Sequence, residues 1–516
     1  MNEPGPMLFW KRLTSMAVLG TARAPIPELP PGLSERLSQE LERAMVAEPE
    51  RRLLRLAAVV SPYVCAGVRA PVATEAVEDA APDDALAACS ARSARHLEAI
   101  LFGQYADLLD EWSSAAARAS IRAREELLVA LLDHLSGLAR GQSAEAVTQP
   151  LAVLGARGRW LAAKNDVWGV VVAAAAPEEA WSTGSRQERL GALLQMRRSD
   201  AAAARELLAK GFAGEAPEDR ESFIQALAAG LSIADEPFLE NALDDRRKAV
   251  RLAAAELLYR LPESRLSERM AARVRDLFQA TGQKLEVRLP EECDFAMARD
   301  GVDPKRYPHL GDKARLLAQI VGAAPLGTWS GEPTQIVEAL LHTDFADALS
   351  LGLSLAAARQ ENPAFCRVLL GKIVDFPVER LDAHAEVFPE LLGAVSDEAY
   401  RSLGERVAAE HALSPALPLF LLSSERPFEP LLSRRVLAAL RLRARRGMPA
   451  IEWQLQSAFR GTLARRLHPS VHEEAQQDWP MDAEGWTYRD TTLVETLAAT
   501  LAFRCEMLEE LKEKTS

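Results

Sequence analysis

Residues 243–262, LDDRRKAVRLAAAELLYRLP, carry the pattern that decides the fold. Apolar side chains in this stretch recur at the three- and four-residue spacing that lines one face of a helix. They are Val250, Ala253, Ala254, Leu257, Leu258 and Leu261. Asp244 or Asp245 can accept hydrogen bonds from the N–H groups at the helix start, and Pro262 ends the helix because it has no N–H to donate. The stretch therefore predicts an amphipathic helix whose apolar face needs a neighbour to cover it.

Similar short helices follow one another between residues 185 and 270. Their predicted starts are Arg186, Asp200, Pro217, Asp235 and Arg246. Helices this short cannot bury their apolar faces alone, so they are expected to stack on their neighbours. The starts indicate a unit of about 30–35 residues, shorter than the ~40–47 residues of HEAT repeats. We therefore predict an all-α fold, an α-solenoid-like stack of helical hairpins with degenerate, HEAT-like repeats.

Changes in composition predict four regions. Residues 1–150 form an N-terminal helical region, which includes a linker rich in Ala, Pro and acidic residues at 70–84. Residues 151–280 form the HEAT-like repeat core. Residues 281–334 form an irregular linker, rich in Gly, Pro and Asp, with one helix at 312–321 and at most one minor strand pair, suggested by the alternation at 284–289. Residues 335–516 form a C-terminal helical region.

Charge and cysteine content restrict the class of protein. The 74 acidic residues exceed the 61 Lys and Arg residues and give a net charge of −13, which disfavours non-specific nucleic-acid binding. The five cysteines are far apart and never form C-x-x-C, so we expect reduced thiols in a cytoplasmic protein. The N-terminus lacks the pattern of a signal peptide, and no run reaches the ~18 apolar residues of a membrane span.

No known catalytic motif is present, and we predict no catalytic residue, no cofactor and no metal site. His468 and His472 are four residues apart, as in some zinc sites, but Pro469 disfavours a helix there and no third ligand is evident. A site assembled from distant residues would not be visible in the sequence. An unrecognised enzyme therefore stays an alternative.

The turn at residues 155–165 is a candidate anion site. It combines glycines with Arg157, Arg159, Trp160 and Lys164 near a possible helix start, where main-chain N–H groups can bind a phosphate. The spacing does not match a phosphate-binding P-loop, which needs G-x-x-x-x-G-K followed by Ser or Thr. The alternative is a structural turn in which Trp160 packs and an arginine binds carbonyl groups.

A basic cluster is the candidate interaction surface. It comprises Arg434, Arg435, Arg441, Arg443, Arg445 and Arg446, with no acidic residue among them. Such a cluster on an acidic protein could bind an acidic partner or a nucleic-acid backbone. The alternative is a solvated helix face that pairs with neighbouring acidic helices.

Residues 243–258 resemble the second half of a HEAT-type repeat. This resemblance implies a ladder between repeats, formed by an Asp in the turn and an Arg on the second helix. Asp245 and Arg251 are the pair that would form it.

Further stretches resemble one uncharacterised bacterial family of helical proteins. They are Leu19-Gly20-Thr21-Ala22-Arg23, residues 155–165, Thr183-Gly184-Ser185, residues 235–240, Met297-Ala298-Arg299-Asp300-Gly301, His468-Pro469 and residues 496–508. Members of that family are encoded beside MoxR-type AAA ATPases and von Willebrand A-domain proteins. The resemblance implies a role near such a chaperone-like system.

The sequence thus favours a non-enzymatic helical repeat scaffold that binds another protein, possible partners being the AAA ATPase or the A-domain protein. The alternatives are a nucleic-acid-binding HEAT-like protein that uses the Arg434–Arg446 cluster, and an enzyme with a site near Arg157, Arg159 and Lys164. Neither a membrane nor a cofactor is part of these expectations.

Overall fold

The computed structural model describes residues 5–21, 23, 28, 35–46, 48–67, 81, 83–141, 145–165, 167–169, 177–281, 284–446, 461–482 and 486–512. The chain divides into two compact units, Met1–Ala80 and Ala81–Ser516. Most of the predicted linker at 70–84 lies outside the described residues. No helix in the described ranges is long and apolar enough to cross a membrane.

The described residues of the first unit form three helices, α1 (Gly5–Leu19), α2 (Glu35–Met45) and α3 (Pro49–Gly67). Phe9, Leu13, Leu41 and Leu56 form its buried core. Each helix contributes at least one of these side chains, as expected for short amphipathic helices that cover one another.

The second unit is a stack of short helices. They are α4 (Ala91–Leu101), α5 (Leu109–Arg118), α6 (Leu128–Gly141), α7 (Glu145–Ala152), α8 (Gly155–Ala163), α9 (Pro177–Thr183), α10 (Arg186–Ser199), α11 (Ala201–Gly211), α12 (Pro217–Ala226), α13 (Glu236–Ala242), α14 (Lys248–Tyr259), α15 (Arg265–Leu277), α16 (Phe295–Arg299), α17 (Asp312–Ala323), α18 (Pro333–Leu341), α19 (Ala346–Arg359), α20 (Pro363–Ile373), α21 (Val378–Ala383), α22 (Phe388–Ala394), α23 (Asp397–Glu410), α24 (Ala416–Ser423), α25 (Pro430–Arg445), α26 (Leu463–Arg466) and α27 (Tyr488–Lys512). Short 3-10 turns join several of them. The predicted all-α fold is confirmed.

In the part of the second unit that the structure describes, two small sheets accompany the helices. β1 (Ala87–Ala88) pairs in parallel with β2 (Ile121–Arg122). β3 (Phe278–Thr281) pairs antiparallel with β4 (Lys284–Val287), at the position of the predicted strand. The main-chain hydrogen bonds of these short strand pairs hold the segments that connect the helices.

The large core of the second unit runs without interruption from Leu193 to Leu501. It passes through the predicted linker at 281–334, because Leu316 and Leu317 on α17 are buried in it. Helix α17 packs most extensively on α19. The region predicted as a linker is thus part of the stack, although its first half contains little regular structure.

Arginines, of which Arg197, Arg359 and Arg443 are buried, tie successive layers together. Arg197 and Asp235 are both 0% exposed and 2.9 Å apart, and Arg197 also binds the carbonyls of Leu227 and Gly230. Equivalent bonds to main-chain carbonyls span 29–37 residues of sequence. Their donors are Arg359, Arg406, Arg426 and Arg443. The separations are close to the predicted unit length of 30–35 residues.

Helix α27 joins two cores. Leu493 and Leu497 belong to the large core, whereas Met507 and Leu511 belong to a second core formed by helices α4–α8. Arg504 lies between them and binds both carboxylate oxygens of Glu111, at 2.6 and 2.7 Å. The end of the chain therefore holds the 91–163 region against the rest of the stack.

We predict that Arg504→Ala lowers the free energy of unfolding by about 3–5 kcal/mol, because it leaves Glu111 without its partner in a partly buried site. The matched control is Arg92→Ala. Arg92 also pairs with α27, through Glu506, but its side chain is 53% exposed. We expect a loss below about 1 kcal/mol for the control. Urea unfolding of both variants checks this, and equal losses would contradict it.

Candidate functional site

A cavity of about 520 Å³ opens between the loop at residues 306–309 and three helical elements of the second unit. Helix α14 contributes Glu256, and α19 contributes Arg359. The third side is formed by α21, α22 and the residues between them. We call it the Tyr307 cavity. Its volume is in the range of small-molecule and peptide-anchor sites.

The floor of the cavity is an ion pair. Arg359 binds Glu256 through two hydrogen bonds of 2.7 Å and donates a third, of 2.8 Å, to the carbonyl of Gly322. Its guanidinium group also lies 4.7 Å from the centre of the Tyr259 ring. Burial opposes ionisation of Glu256, but the guanidinium group outweighs it and the pKa of Glu256 is lowered. The floor is therefore charged, rigid and internally satisfied.

Close helix packing sets the position of Arg359. Gly352 on α19 faces α17, and a Cβ atom there would lie 2.8 Å from the carbonyl oxygen of Ala318. Only glycine permits this approach, which brings the end of α19 to the carbonyl of Gly322 on α17. Helix α19 is buried on nearly all sides, in keeping with its Ala, Leu and Ser sequence.

The loop at 300–310 is anchored near its start, at Asp300 and Asp303, and at its end, where Arg315 donates to the carbonyl of Leu310 at 3.0 Å. Asp300 is 2% exposed and pairs with Arg269 and Arg273, each at 2.7 Å. The Tyr259 hydroxyl donates to the carbonyl of Asp300 at 2.6 Å. Further along, the Gln319 side chain binds both the N–H and the carbonyl of Asp303, at 2.8 and 2.9 Å. The loop thus presents its tip to the cavity in a fixed conformation.

Tyr307 stands at the tip of this loop. Its φ of 58° is in the left-handed region, which bulky residues rarely adopt without compensation. The side chain is 8% exposed, and its hydroxyl has no hydrogen-bond partner among the described residues. The charges that act on this hydroxyl are those of Arg306, Arg359, Glu256 and Glu386, all of which line the cavity. Burial raises the pKa of Tyr307, so the group is a neutral phenol at pH 7.

The outer side of the cavity is acidic. Glu379, Asp382, Glu386 and Glu390 line it at intervals of three or four residues. All four are exposed, and none has a side-chain hydrogen bond or ion pair within the described structure. The nearby Arg380 pairs instead with Asp347. We call these four carboxylates the acidic wall.

The lining consists mainly of charged side chains, with Tyr307 and His309 as its aromatic members. In the described ranges, no group of three or more His, Cys, Asp or Glu side chains is arranged to hold a metal ion. His468, one of the two histidines considered for zinc, instead lies 2.8 Å from the hydroxyl of Ser470. The cavity can therefore hold and orient a ligand with its own fixed charges.

The predicted anion turn is already occupied by a carboxylate of this chain. Asp84 accepts a hydrogen bond of 2.8 Å from the N–H of Ala156, at the start of α8. The same carboxylate lies 3.3 Å from Arg122. Of the residues predicted there, Arg157, Arg159 and Lys164 are exposed and Trp160 is half-buried. The N–H groups expected to bind an external anion thus bind Asp84.

The basic cluster on α25 is largely bound within the chain. Arg434 pairs with Glu474 at 2.8 Å and Arg435 with Glu405 at 3.0 Å. Arg441 and Arg445 donate to carbonyl groups of Glu474 and Asp478, and the buried Arg443 donates to those of Ala412 and Ser414. Arg446 is exposed. The cluster joins α25 both to the preceding residues 405–414 and to the following residues 474–478.

The ladder implied for Asp245 and Arg251 has a different pairing. The carboxylate of Asp245 binds Arg220, on the preceding helix α12, at 2.9 Å. Arg251 donates to the main-chain carbonyl of Asp245 at 2.8 Å. Arg220, on the preceding layer, is the arginine that binds the carboxylate of Asp245. Arg251, in the first turn of α14, binds the main chain of the turn instead.

The Tyr307 cavity was not expected from the sequence. Asp300-Gly301 and Tyr307-Pro308 lie in the region that was predicted to be an irregular linker. One usable signal was present, because an arginine and an aromatic residue in a long loop between helical regions are typical of binding loops. The floor gave no local signal, since Glu256 and Arg359 are 103 residues apart.

Gly301 tests how the loop is held. Its φ is +92°, and a Cβ atom there would lie 2.4 Å from the Tyr259 hydroxyl. We predict that Gly301→Ala lowers the free energy of unfolding by about 1–3 kcal/mol or more, through strain and this overlap. The control is Gly311→Ala, where a Cβ atom would meet nothing within 4 Å. Thermal unfolding measures both, and an unchanged Gly301→Ala would contradict the described loop.

His384, buried behind the acidic wall, tests the electrostatics of this region. Burial lowers its pKa from the ordinary 6.5, outweighing its bonds to main-chain groups and the nearby charge of Asp347. The unfolded chain therefore binds a proton below pH 6.5 that the folded protein resists, so stability falls as the pH decreases through that range. Burial also lowers the pKa values of His96 and His468, which add to this fall.

We predict that His384→Asn loses less stability than the wild type between about pH 7.5 and about pH 5.5, because it removes one such proton uptake. Urea unfolding at several pH values measures the difference. The control is His342→Asn, which removes an exposed imidazole that also contacts a carbonyl four residues earlier. A slope for His384→Asn equal to that of the wild type would refute the prediction.

Comparison with known proteins is informative at the level of the family. No curated protein and no solved structure matches the chain. One family model, described as a family of unknown function (DUF5691), matches residues 12–511, which include every residue of the Tyr307 cavity. The expected membership of an uncharacterised family is thereby confirmed, whereas the gene neighbours stay a prediction. Since the match covers nearly the whole sequence, the chain belongs to the DUF5691 family.

Proposed function

We propose that this protein is a non-enzymatic scaffold of HEAT-like helical repeats that binds a partner protein at the Tyr307 cavity. Stacked helices present wide surfaces that suit macromolecular partners. The cavity supplies a local site on that surface, lined by charged and aromatic side chains. Cytoplasmic function is part of the proposal, supported by the wide spacing of the five cysteines, which never form C-x-x-C.

The single observation that carries the proposal is the contrast between the two sides of the cavity. On the inner side, Arg359, Glu256 and the anchored loop are bound to one another. On the outer side, the four carboxylates of the acidic wall have no partner in the described structure. A rigid site with unsatisfied charges at its rim binds with little loss of conformational entropy.

The expected partners are a MoxR-type AAA ATPase and a von Willebrand A-domain protein. This choice depends on the family resemblance in the sequence. The unpaired acidic wall and the anchored loop support the Tyr307 cavity as the docking site for such a partner. A nucleic acid is less favoured, because five of the six arginines in the Arg434–Arg446 cluster bind groups of this chain.

The proposal is tested with a wall variant, Glu379→Gln, Asp382→Asn, Glu386→Gln and Glu390→Gln. The control variant is Glu206→Gln, Glu263→Gln, Asp276→Asn and Glu495→Gln. It removes the same number of charges from exposed side chains that also lack a partner in the described structure. Both variants should fold, because surface changes of this kind cost within about 0.5 kcal/mol each.

We predict that the wild type and the control variant form a complex with the ATPase or the A-domain protein of the same host, and that the wall variant does not. Size-exclusion chromatography with light scattering measures complex formation. Cross-linking and mass spectrometry should place the partner next to residues 379–390. Absence of any complex with the wild type, or equal complexes with both variants, would refute the proposed docking site.

A further inference from the structure

The first unit has a group of strongly exposed aliphatic side chains at one of its ends. Each is between 61% and 86% exposed, and they are Val18, Leu19, Val46 and Leu54. We call this group the aliphatic end. We infer that the aliphatic end and the arginines that flank it attach the protein to an anionic lipid surface. The inference concerns the first unit alone and is independent of the docking proposed at the Tyr307 cavity.

One hydrogen bond shows that the four side chains share an end of the unit. The Thr21 hydroxyl, two residues after α1, donates to the carboxylate of Glu50 in the first turn of α3, 2.6 Å away. Two members of the aliphatic end lie within three residues of Thr21. The other two lie four residues before and four residues after Glu50. The ends of α1 and α2 and the start of α3 therefore bring the four side chains together.

The aliphatic end protrudes and does not line a groove. Val46 lies just beyond the last residue of α2, and side chains this exposed have few neighbours on any side. A stable protein–protein interface buries about 800 Å² on each partner, which is more than four aliphatic side chains supply. Protruding aliphatic side chains can enter the boundary between lipid headgroups and acyl chains without a preformed pocket. A lipid surface therefore fits this end better than a protein groove.

Arginines without partners flank the aliphatic end. All are exposed and have no side-chain hydrogen bond or ion pair within the described structure, and they are Arg12, Arg23, Arg51 and Arg55. We call them the arginine rim. Arg12 lies two helical turns before Leu19, so the two side chains share a face of α1. Arg51 and Arg55 lie on either side of Leu54 in the sequence of α3.

The acidic residues near this end lie mainly on a different helix. Helix α1 contains no acidic residue, and α3 contains only Glu50, which is bound to Thr21. Helix α2 contains three, Glu35, Glu40 and Glu42. Since α1 and α3 pack on each other more extensively than either packs on α2, the basic side of the unit is the α1–α3 side.

The chemistry of the arginine rim determines the class of lipid. A guanidinium group has only donors, and its planar fork matches the oxygens of a phosphate. Anionic phospholipids supply those phosphates together with a net negative charge, which attracts Lys and Arg side chains near the surface. Such a lipid also supplies the acyl boundary that the aliphatic end needs. The two features of the first unit thus complement the same surface.

Flotation of the full chain with lipid vesicles tests this inference. The vesicles contain phosphatidylcholine with about one third phosphatidylglycerol, and vesicles of phosphatidylcholine alone are the neutral reference. We expect the wild type to float with the anionic vesicles. Binding should weaken as the salt concentration rises, because salt screens exposed charges.

The contribution of the apolar side chains is measured with an aliphatic-end variant, Val18→Ser, Leu19→Ser, Val46→Ser and Leu54→Ser. Its matched control changes two valines and two leucines of the second unit that are 42–50% exposed, Val129→Ser, Val167→Ser, Leu422→Ser and Leu431→Ser. The aliphatic-end variant should bind the anionic vesicles at least about tenfold more weakly than the wild type, and the control within about twofold. Unfolding midpoints equal to that of the wild type confirm that both variants fold.

The contribution of the charges is measured with a rim variant, Arg12→Gln, Arg23→Gln, Arg51→Gln and Arg55→Gln. Its control changes four other exposed arginines that have no partner in the described structure, Arg260→Gln, Arg275→Gln, Arg367→Gln and Arg489→Gln. The rim variant should bind anionic vesicles no better than neutral ones, whereas the control keeps the preference of the wild type.

Three results would overturn the inference. The first is no flotation of the wild type with anionic vesicles, and the second is an equal loss in the aliphatic-end variant and its control. The third is a dimer, or a complex with a partner protein, that the aliphatic-end variant loses while vesicle binding is unchanged, because the end would then bind a protein. Equal binding of the wild type to anionic and neutral vesicles would overturn the role of the arginine rim. Vesicle binding is measured without the partner protein, so this inference and the proposed docking site fail separately.

Discussion

The structure depends on buried guanidinium groups that bind main-chain carbonyls of a neighbouring layer. A buried charge is tolerated only when its donors are satisfied, and a buried carbonyl at a helix end needs a donor. Arg197 and Arg443 meet both needs at once. Because each guanidinium must reach a fixed set of oxygens, it also fixes how far one layer is displaced from the next. Apolar contacts between alanine- and leucine-rich helices would be far less specific.

Arg359 connects this structural interaction to the candidate site. The guanidinium group that binds the carbonyl of Gly322 also holds Glu256 and stacks on Tyr259, whose hydroxyl holds the backbone of Asp300. The loop that carries Tyr307 starts there. The cavity floor is therefore an extension of the contacts that hold the stack together, which explains why it is rigid without having a metal or disulfide among the described residues.

Local patterns were sufficient to predict the helices but not their long-range partners. The stripe at 250–261 and Pro262 define α14 because both effects act within a few residues. In α27, Arg504 is buried together with Met507 and Leu511. A charged side chain is stable at this position because Glu111, which is 393 residues away, pairs with it. No local pattern contains that information.

The functional sites predicted from the sequence were also affected by partners that are distant in the sequence. The helix start at 155 was a reasonable anion site by composition, yet Asp84, which is distant in sequence, fills it. The arginines of α25 form a basic patch in the sequence, yet their partners come from Glu405 and Glu474. Charges that stand out in the sequence were thus mostly neutralised on folding. The acidic wall stands out only in the structure, where Arg380, the base nearest to it in sequence, pairs with Asp347. Charged side chains that stay unpaired in the folded protein therefore indicate a binding site better than charged residues that are clustered in the sequence. Only unpaired groups gain new partners when a ligand binds.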